Sequence, residues 1–463
     1  MKNLKATTIL LVAIVTVSLV TIGYSKNWFQ TTPTTQTTAV TNMNFTLEIF
    51  GNANMNDQID EDDITYIQDI IDGTKPSTPF ADANRDGVID KKDIEFIRAI
   101  IDCTATKLYM LDGNGIEINV SLPANRVIVE YNQNVELVRI LGIEQLVVGI
   151  DSGIAPVKNL FFPDNAVQIT SVGDMSKPDY EAVLDLNPTT LLVFSPTTVD
   201  KVTHLPGVDV VYLGLYTPNV TNPEASIFLQ GILKAGYIFN KVQRATEYTN
   251  WILNITSTIN TKVNTIPLNQ RHTVLLTNNP AVSSDRSYVA VDTLGQACIL
   301  AGGINIANAP IGSTAYSVTL EPEFIVSQNP DFIFLHTVRY TYGGLVSEPA
   351  QGIDVNDPNS MKTVLEQYTA QPSYSSLDAV KNNNVYLIAG DFRNNAMGGT
   401  LGAVYMAKIL YPDVFLDLNP QTIHQEYITN FLRLNYNLDT NGVFLYPAIT
   451  INGDIVGIPN GAK

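Results

Sequence analysis

The sequence predicts an α/β protein with two similar lobes joined by one long helix, preceded by a small all-α domain. Residues 241–263 carry apolar side chains at steps of three and four, the spacing of one face of an amphipathic helix. A helix of about 22 residues is about 33 Å long, which is enough to bridge two small domains. On either side of this segment a glutamate, Glu181 or Glu323, stands seven residues before the proline of an Asn-Pro pair that opens an apolar run. This repetition indicates two related α/β lobes flanking the helix.

Length and charge exclude several classes of protein. With 463 residues, of which 45% are hydrophobic, the chain can bury more than one core and is globular rather than disordered. Its formal charge is −18 at pH 7, so it offers no large basic surface to the phosphates of a nucleic acid. We therefore expect no nucleic-acid binding.

The first 25 residues have the basic start and the uncharged apolar run of a membrane anchor or an export signal. The run from Thr7 to Gly23 is about as short as a membrane-spanning helix can be. No small-x-small cleavage site follows clearly, which favours an uncleaved anchor, and both readings place the rest of the chain outside the cytoplasm. Residues 26–46 are rich in threonine and predict a flexible linker.

Two cysteines, Cys103 and Cys298, lie far apart in the sequence and lack the spacing of a metal site. We interpret both as buried free thiols, with a disulfide left open for an exported chain. The four histidines are scattered as well, which argues against the several-histidine ligand sets of binding proteins for bare zinc or manganese.

The clearest local signal is an internal repeat with an offset of thirty residues, within residues 50–103. In each copy, side chains with oxygen atoms stand at positions 1, 3, 5, 9 and 12 of a loop, and position 7 offers its backbone carbonyl. Six or seven such oxygens are what a calcium ion requires. The ligand candidates are Asn52, Asn54, Asn56, Gln58, Asp60 and Asp63 in the first loop and Asp82, Asn84, Asp86, Val88, Asp90 and Asp93 in the second. The first loop has asparagines in place of acids and lacks the turn glycine, so we expect it to bind calcium more weakly.

An alternative explanation, that Asp- and Asn-rich turns only cap helices, accounts for one loop but not for a duplicated pair. Each loop precedes only its exiting helix and ends in aspartate, and in these features residues 47–105 resemble a type I dockerin, an EF-hand-like domain. The resemblance implies two bound calcium ions and docking onto a cohesin of another protein. Loop positions 10 and 11 are Glu61-Asp62 and Lys91-Lys92, not the Ser-Thr common in cellulosomal dockerins. The cohesin is therefore left open, and docking within the same chain stays an alternative.

The first lobe, residues 106–222, begins with a predicted hairpin around the turn 112–115. Further on, apolar runs and amphipathic segments alternate at short spacing, which is typical of parallel α/β units. The predicted elements are strands at 126–131, 146–150 and 209–213 and a helix at 134–141 that ends at Gly142. Two connecting helices follow within residues 223–265: a short one capped by Asn222 and ending at Gly236, and the long one described above.

The second lobe and tail, residues 266–463, show the same alternation of strands and helices. The predicted elements are strands at 272–276, 332–335 and 384–388 and helices at 294–301, around 323 and at 402–410. The tail from Tyr436 to Lys463 contains two further strand-like runs, whose packing the sequence leaves open.

Seven phrases spread through this body resemble the class III substrate-binding proteins of ABC importers, which carry ferric siderophores, haem or cobalamin. They are Pro123-x-x-Arg-Val-Ile, Leu141-Gly-Ile-x-x-Leu-Val-Val-Gly, Val172-Gly with Glu181-x-x-Leu-x-Leu-Asn-Pro188, Ala301-Gly-Gly-x-Asn305, Glu323 followed by Pro330-Asp331, Leu377-Asp-Ala-Val-Lys with Val385-Tyr, and Lys408-Ile-Leu-Tyr-Pro412. Each phrase alone is weak, but seven in the family's order are specific. The resemblance implies two Rossmann-like lobes bridged by one long helix, binding without catalysis, and an ABC permease and ATPase as partners.

In that family, one glutamate on each lobe docks onto arginines of the permease. By their place in the matching phrases, these residues are Glu181 and Glu323 here, with Glu321 as a competing choice in the second lobe. Two carboxylates on rigid lobes can fix how the protein sits on its transporter. The alternative is that each acid only complements the dipole at a helix N-terminus.

Loops at the carboxyl ends of the strands are expected to line a ligand cleft between the lobes. The candidates are Tyr131, Asn132, Tyr216, Arg286, Arg339, Tyr340 and Arg393. Three arginines, each just past a strand of the second lobe, suggest a cationic wall for an anionic chelate, with tyrosine rings packing on its aromatic parts. For each single arginine, an ordinary structural ion pair is the alternative.

Two functions follow from these patterns. The first is an extracytoplasmic substrate-binding protein of an ABC importer that captures a ferric siderophore, haem or a corrinoid. The second is a calcium-dependent cell-surface assembly protein that acts through the dockerin-like domain, and a cleft filled by side chains would favour it. An enzyme is not expected, because the sequence has no G-x-S-x-G elbow, phosphate loop or Cys-x-x-Cys motif.

Overall fold

The computed structural model describes residues 45–196, 198–216, 218–220, 222, 226–278, 286–308, 315–337 and 351–462. The described residues all belong to one compact unit, Ala39–Lys463. Within this part of the chain, no helix is both long and apolar enough to cross a membrane. The predicted anchor, residues 1–25, and nearly all of the predicted linker lie outside it.

Helices and strands alternate through most of the described chain. The helices are α1 (Glu61–Ile71), α2 (Lys91–Ile101), α3 (Tyr131–Leu141), α4 (Lys158–Phe161), α5 (Tyr180–Asp185), α6 (Val199–His204), α7 (Ile227–Ile238), α8 (Val242–Val263), α9 (Thr293–Leu300), α10 (Pro322–Gln328), α11 (Asn359–Thr369), α12 (Asp378–Lys381), α13 (Asp391–Asn394), α14 (Thr400–Leu410) and α15 (Pro420–Glu426). The strands are β1 (Lys107–Leu111), β2 (Glu117–Ser121), β3 (Val127–Val129), β4 (Val147–Ile150), β5 (Thr170–Ser171), β6 (Gly173–Asp174), β7 (Lys177–Pro178), β8 (Thr190–Val193), β9 (Asp209–Tyr212), β10 (Thr273–Asn278), β11 (Arg286–Tyr288), β12 (Ile304–Asn305), β13 (Ser317–Thr319), β14 (Phe332–Thr337), β15 (Val385–Ala389), β16 (Leu445–Tyr446), β17 (Ile449–Ile451) and β18 (Asp454–Val456).

Each copy of the internal repeat is a loop followed by a helix, and we name residues 45–103 the loop–helix module. Both helices begin with a capping box, in which the last aspartate of the loop, Asp63 or Asp93, accepts a hydrogen bond from the backbone of the N-cap residue. α1 and α2 lie against each other and fully bury Ile67 and Ile97. The duplicated pattern in the sequence therefore corresponds to two copies of one local structure.

The loop–helix module continues into the predicted hairpin without a spacer. β1 and β2 pair in antiparallel register, so the hairpin prediction is confirmed. The segment before the first loop adds to β1, with hydrogen bonds from Phe50 N to Tyr109 O (2.9 Å) and from Leu111 N to Glu48 O (3.0 Å). The module is thus part of the body and is not held at a distance from it.

The first lobe is built on five parallel strands in the order β5-β4-β3-β8-β9. β3 and β8 at its centre are buried along their whole length, as expected for parallel strands covered on both faces. Helix α3 begins at Tyr131, earlier than the predicted Asn134. It ends as predicted at Gly142, which has a left-handed φ of 75°.

The two bridging helices are α7 and α8. The long helix is confirmed as α8, with 22 residues. The predicted start of the short helix is wrong, because α7 begins at Ile227, after Ser226, and not at Asn222. It also continues through Gly236, where a Cβ would lie only 2.8 Å from the Cβ of Ala245 on α8. The glycine lets the two helices approach each other closely and does not end α7.

The second lobe has a mixed sheet whose centre is parallel. β10, β14 and β15 run parallel. On one side β11 is antiparallel to β10 and β13 is antiparallel to β11, and on the other side β16 is antiparallel to β15. β12 adds to β10 at one end. Because β16 belongs to the C-terminal tail, the tail packs on the second lobe and completes its sheet.

After α15 the chain returns to the first lobe as a C-terminal strap, residues 427–433. Arg139 of α3 is buried, and its guanidinium donates to the carbonyl oxygens of Leu432 (2.6 Å) and Arg433 (2.8 Å). The strap thus connects the end of the second lobe to the helix that follows the first strand of the first lobe. Two connections, α8 and the strap, join the lobes on this side.

The two cysteines are free thiols. Cys298 is buried, as expected, and burial raises the pKa of its thiol to about 12. Cys103 is exposed just after α2, so the expectation of a buried thiol was wrong there. Its position at the end of a surface helix leaves it without neighbouring core side chains.

Candidate ligand cleft and calcium loops

Side chains that follow strands of the two lobes contact each other. Tyr216 comes after β9 of the first lobe, and its ring centroid lies 5.8 Å from that of Tyr316 and 5.4 Å from the guanidinium carbon of Arg393. Tyr316 and Arg393 both belong to the second lobe. The carboxyl ends of strands are where open α/β sheets bind ligands, so this contact marks the predicted cleft.

Four rings, which we name the aromatic row, run from the first lobe to the second: Tyr131, Phe194, Tyr216 and Tyr316. Successive ring centroids are 4.1, 5.1 and 5.8 Å apart. The second and third distances fall in the range of favourable aromatic pairs, and the first pair is in closer contact. Tyr131 has a φ of 67°, in the left-handed region that a tyrosine rarely adopts. Its backbone N–H donates to a carboxylate oxygen of the buried Asp151 at 2.6 Å. Backbone strain held in place by a buried partner is typical of binding residues.

Arg393 is not a free positive charge. Its Nε lies 3.1 and 2.9 Å from the two carboxylate oxygens of Asp292, and its Nη2 lies 2.6 Å from one of them. The rings of Tyr216 and Tyr288 also cover the guanidinium, at 5.4 and 4.9 Å. Burial lowers the pKa of Arg393, but the charge of the fully buried Asp292 outweighs burial and the pKa is raised. For Arg393 the structural ion pair is therefore the observed arrangement. The cleft surface at this point is a neutral ion pair stacked with tyrosine rings, and not a wall of unpaired positive charge.

The other predicted ligand residues differ in exposure. Arg286 is exposed at the start of β11, where its Nε donates to the Ser317 hydroxyl at 2.7 Å. Asn132 is buried in the first turn of α3. Arg339 and Tyr340 lie outside the described residues. Arg286 is thus the more exposed of the two described arginines of this set.

A polar cluster at the carboxyl end of the second sheet was missed from the sequence. The Tyr288 hydroxyl donates to the Asn278 side-chain oxygen and lies 3.1 Å from Nδ1 of His336. His336 is buried, and its Nε2 has no partner among the described residues. Burial lowers the pKa of His336 well below 6.5, so the ring is neutral. The signal in the sequence was weak, because one histidine at the end of an apolar strand looks like any buried core residue.

The described part of the cleft is narrow. A cavity of about 190 Å³ lies beside Tyr216 on the first-lobe side, and the side-chain oxygen of Gln133 at its wall is buried without a partner among the described residues. A second cavity, of about 230 Å³, lies between the bridging helices and the second lobe. Both volumes include open solvent, and each site has enclosed room for about one water molecule, so both are far smaller than the roughly 300–1,000 Å³ of typical ligand sites. Tyr216 and Arg393 fill the space between the lobes here.

Glu181 and Glu323 occupy equivalent places in the two lobes. Each is exposed in the first turn of a short helix, α5 or α10, that leads into a central strand, β8 or β14. The competing Glu321 is the N-cap residue of α10 and is also exposed. The structure therefore leaves both second-lobe glutamates accessible to a partner.

The second loop has a buried carboxylate oxygen without a partner in the described part of the chain. Asp82 Oδ1 is buried and has no hydrogen-bond partner among the described residues, which suits it to bind an ion. Burial raises the pKa of the Asp93 carboxyl at the last loop position, so a nearby cation would stabilise its charged form. Arg85 lies 3.2 Å from Asp82, and Lys92 lies 3.1 Å from Asp86. Both cations are at the surface, and a bound calcium ion would compete with them.

Carboxylates alone do not complete this site. In the described part of the chain, no group of three or more His, Cys, Asp or Glu side chains is placed to hold a metal ion. A calcium ion in the second loop would therefore also need the Asn84 side chain and the Val88 carbonyl oxygen, as the loop spacing predicts.

In the first loop, the predicted ligands hydrogen-bond to one another and to the backbone. Asn54 Oδ1 accepts from Asn56 N (3.0 Å), and Asn56 Oδ1 accepts from Gln58 N (2.9 Å). Both oxygens of Asp63 accept backbone N–H groups, from Asn54 at 3.0 Å and Asp60 at 2.9 Å. Burial raises the pKa of Asp63 to about 7. The second loop repeats these bonds, from Asp86 N to Asn84 Oδ1, from Val88 N to Asp86 Oδ1 and from Asn84 N and Asp90 N to Asp93. The loops differ at the first position, where the side chain of Asn52 is hydrogen-bonded and Asp82 Oδ1 has no partner among the described residues.

Comparison with known families found one match over the body. The profile described as "Periplasmic binding protein" matches residues 127–391, more than half of the chain. The match begins after the loop–helix module and the hairpin. A comparison with curated protein sequences found no match.

Several solved structures share the fold of the body. A TroA-like periplasmic binding protein, FepB of Veillonella parvula, is similar with a TM-score of 0.58 and 19% identity, over 73% of this chain and 98% of that one. The molybdate-bound MolA of Haemophilus influenzae has a TM-score of 0.55 and 19% identity over 71% and 99%. CeuE of Helicobacter pylori, in a nickel–histidine complex, has a TM-score of 0.54 and 15% identity over 71% and 96%. At these identities the likeness shows a common fold.

Proposed function

This chain belongs to the periplasmic binding protein family, as a substrate-binding protein of the ABC-transporter type and not an enzyme, and from this we propose that it captures a large metal chelate between its lobes. The cargo class is a ferric siderophore, haem or a corrinoid, delivered to an ABC permease and its ATPase. The aromatic row is the observation that carries the proposal. Successive rings are inclined by 37°, 75° and 54° to one another, so a ligand with flat, conjugated surfaces can pack against both ring faces and ring edges.

The charges of the cleft narrow the class of ligand that we propose. Arg393 is neutralised by Asp292, so the centre of the cleft offers stacking and not a net positive field. Arg286 at the rim keeps an exposed guanidinium that can pair with a carboxylate or a catecholate oxygen. The proteins of similar fold are described with molybdate and with nickel–histidine, which are compact ligands. We propose a larger, aromatic cargo here because the rings are the dominant surface.

A fluorescence titration of residues 39–463 tests this cargo class. Haem, ferric siderophores, cobalamin, nickel–histidine and molybdate are added in turn, with calcium present and then chelated. We expect saturable binding of one of the first three at micromolar concentration or below, with or without calcium. Saturation by only molybdate or nickel–histidine would refute the cargo class while keeping a transport function.

Calcium binding by the loop–helix module is a second proposal. The second loop, with Asp82, Asn84, Asp86, Val88, Asp90 and Asp93, is the best-supported site, and the buried free oxygen of Asp82 supports it. A bound ion would neutralise carboxylates that burial leaves without enough counter-charge. We also propose, from the sequence, an extracytoplasmic location with an anchor in residues 1–25 and a cohesin as a candidate partner of the module.

A calcium-dependent assembly protein is the second candidate function. One observation favours it: Tyr216 and Arg393 fill the described part of the cleft. If none of the five ligands in the titration binds, and a cohesin-bearing protein binds only with calcium, this second function replaces the first.

A further inference from the structure

We infer that the first loop, residues 52–63, takes no calcium ion, and that it serves as the surface by which the module docks on the bridging helix α7 of the same chain. The two repeats would then have diverged into one docking unit and one metal unit. The inference does not depend on whether the second loop binds calcium.

At the first ligand position, both the amide nitrogen and the amide oxygen of Asn52 are hydrogen-bonded within the protein. It is fully buried, and its Nδ2 donates to the carbonyl oxygens of Leu47 (2.7 Å) and Asn56 (2.6 Å). Its Oδ1 accepts from Asn56 N at 3.1 Å. The amide cannot be turned over, because its oxygen would then face two carbonyl oxygens. An asparagine is needed here where a calcium loop needs an aspartate, since a carboxylate could not donate to either carbonyl.

At the seventh and ninth positions, too, an amide of the first loop makes a hydrogen bond that the second loop lacks. Gln58 Nε2 donates to Asp60 Oδ2 at 2.5 Å. The partly positive amide hydrogen thus takes the place beside this carboxylate that a calcium ion would take. The matching residue of the second loop is Val88, which has no such donor. At the first position the matching residue is Asp82, whose buried Oδ1 lacks a partner among the described residues. The side chains of Asn52 and Gln58 therefore satisfy polar groups of the first loop, whereas in the second loop Asp82 Oδ1 is left without a partner among the described residues and Asp90 has the exposed Lys92 at 3.9 Å.

The first loop also faces the bridging helix α7. Ile59, in its middle, donates its backbone N–H to the Tyr237 hydroxyl on α7 at 2.7 Å, and both residues are buried. Just before the loop, Glu48 pairs with Lys234 of the same helix at 2.8 Å. The side chain of Lys234 is 3% exposed, so this ion pair lies inside the contact. These bonds join the loop to a bridging helix of the body.

The second loop is turned to solvent. Its residues 85–88 are exposed, whereas Asn52, Asp57 and Ile59 of the first loop are buried. Two copies of one sequence pattern thus differ in burial, in donors and in the atoms left free. A metal-independent docking surface explains all three differences of the first loop at once.

The test compares a reciprocal pair of variants in residues 39–463. Asn52→Asp adds the missing acid to the first loop, and Asp82→Asn removes the matching acid from the second. Calcium is titrated calorimetrically into chelator-treated protein, and melting temperatures are measured with EDTA and with millimolar calcium. We expect at most one ion per wild-type chain, lost in Asp82→Asn. In EDTA we expect Asn52→Asp to melt at least about 4 °C below wild type, because its carboxylate faces two carbonyl oxygens.

Two results would overturn the inference. One is two ions per wild-type chain, with one lost in Asp60→Asn. The other is an Asn52→Asp variant that melts with the wild type in EDTA. No bound ion, together with a lower melting temperature of Asn52→Asp, would instead refute the proposed second-loop site and still support the inference about the first loop.

Discussion

The Arg393–Asp292 pair sets the electrostatics of the cleft. The sequence correctly indicated that Arg393 follows a strand of the second lobe, since it lies in α13 just after β15. Its partner stands 101 residues earlier in the chain, and no local pattern indicates that pairing. The same holds for His336, whose role depends on Tyr288 and Asn278 arriving from neighbouring strands. Single residues were predicted by position, but their partners depend on tertiary structure.

Removing one member of this pair should destabilise the protein strongly. Arg393→Ala should lower the free energy of unfolding by about 3–5 kcal/mol, because Asp292 is left buried and unpaired. The double variant Arg393→Met, Asp292→Leu should recover most of this loss, since well-packed apolar residues often replace buried ion pairs without cost. Urea denaturation of the three proteins gives the comparison. Equal stability of Arg393→Ala and wild type would show that the pair is not buried in solution.

His424 should make the protein sensitive to acid. Burial lowers its pKa to about 3, whereas the pKa of an unfolded histidine is 6.5. Below pH 6.5 the unfolded chain therefore binds a proton at His424 and the folded protein does not, so stability falls as the pH falls. Between pH 7 and pH 5 this linkage should cost on the order of 2 kcal/mol.

Variants separate this contribution from other titrating groups. Between pH 7 and pH 5, His424→Gln should lose less unfolding free energy than wild type, while His204→Gln, at an exposed position, should match wild type. Buried carboxyls with a raised pKa, such as Glu130, act in the opposite direction and are common to all three proteins. If His424→Gln keeps the pH dependence of wild type, His424 is not the buried neutral group described here.

At the scale of elements, a strong periodic pattern was enough to predict a helix or strand. Elements whose limits depend on tertiary packing were not predicted correctly. The long helix α8 and the central strands were predicted because one face or the whole element is apolar. The start of α7 was wrong because Asn222 looks like a cap, while the packing of Gly236 against Ala245 extends the helix past an expected end. The C-terminal strap has no periodic pattern, and its contacts come from α3 some 290 residues away.

The strap and α3 should stabilise the junction between the lobes. Glu136 of α3 accepts hydrogen bonds from the Ala396 N–H (2.6 Å) and the Tyr427 hydroxyl (2.7 Å). Glu136→Ala should cost about 2–5 kcal/mol of unfolding free energy, because two buried donors lose their acceptor. Tyr427→Phe, which removes only one of these donors, should cost about 1 kcal/mol. Denaturant titration checks both values, and equal costs for the two variants would contradict this account of the junction.

At the scale of the whole molecule, the sequence predicted the two-lobed body and the loop–helix repeat. It left docking of the repeat within the same chain as an open alternative, because the contact of Ile59 with Tyr237 of α7 joins residues 178 positions apart. It also left the tail open, and β16 shows that the tail completes the second sheet. Patterns along the chain predict each domain, whereas the way the domains pack together depends on a few contacts between residues far apart in the sequence.

Transport should depend on both lobes reaching the permease. Glu181→Lys and Glu323→Lys should each abolish uptake in cells while leaving ligand affinity unchanged, because the glutamates are exposed and lie outside the aromatic row. Asp185→Lys, on the same helix as Glu181, is the matched control and should transport normally. Glu321→Lys decides between the two second-lobe candidates. Normal uptake by both Glu181→Lys and Glu323→Lys would refute this docking surface.

The central claim is that a chelate binds against the aromatic row, and one comparison tests it most directly. Dissociation constants for haem and for a ferric catecholate siderophore are measured on residues 39–463, on the Tyr216→Ala variant, and on Tyr66→Ala as a control in the module. We predict that one chelate binds wild type and Tyr66→Ala alike and binds Tyr216→Ala at least about tenfold more weakly, the loss of about 1.4 kcal/mol of stacking. Equal or tighter binding by Tyr216→Ala would contradict the claim.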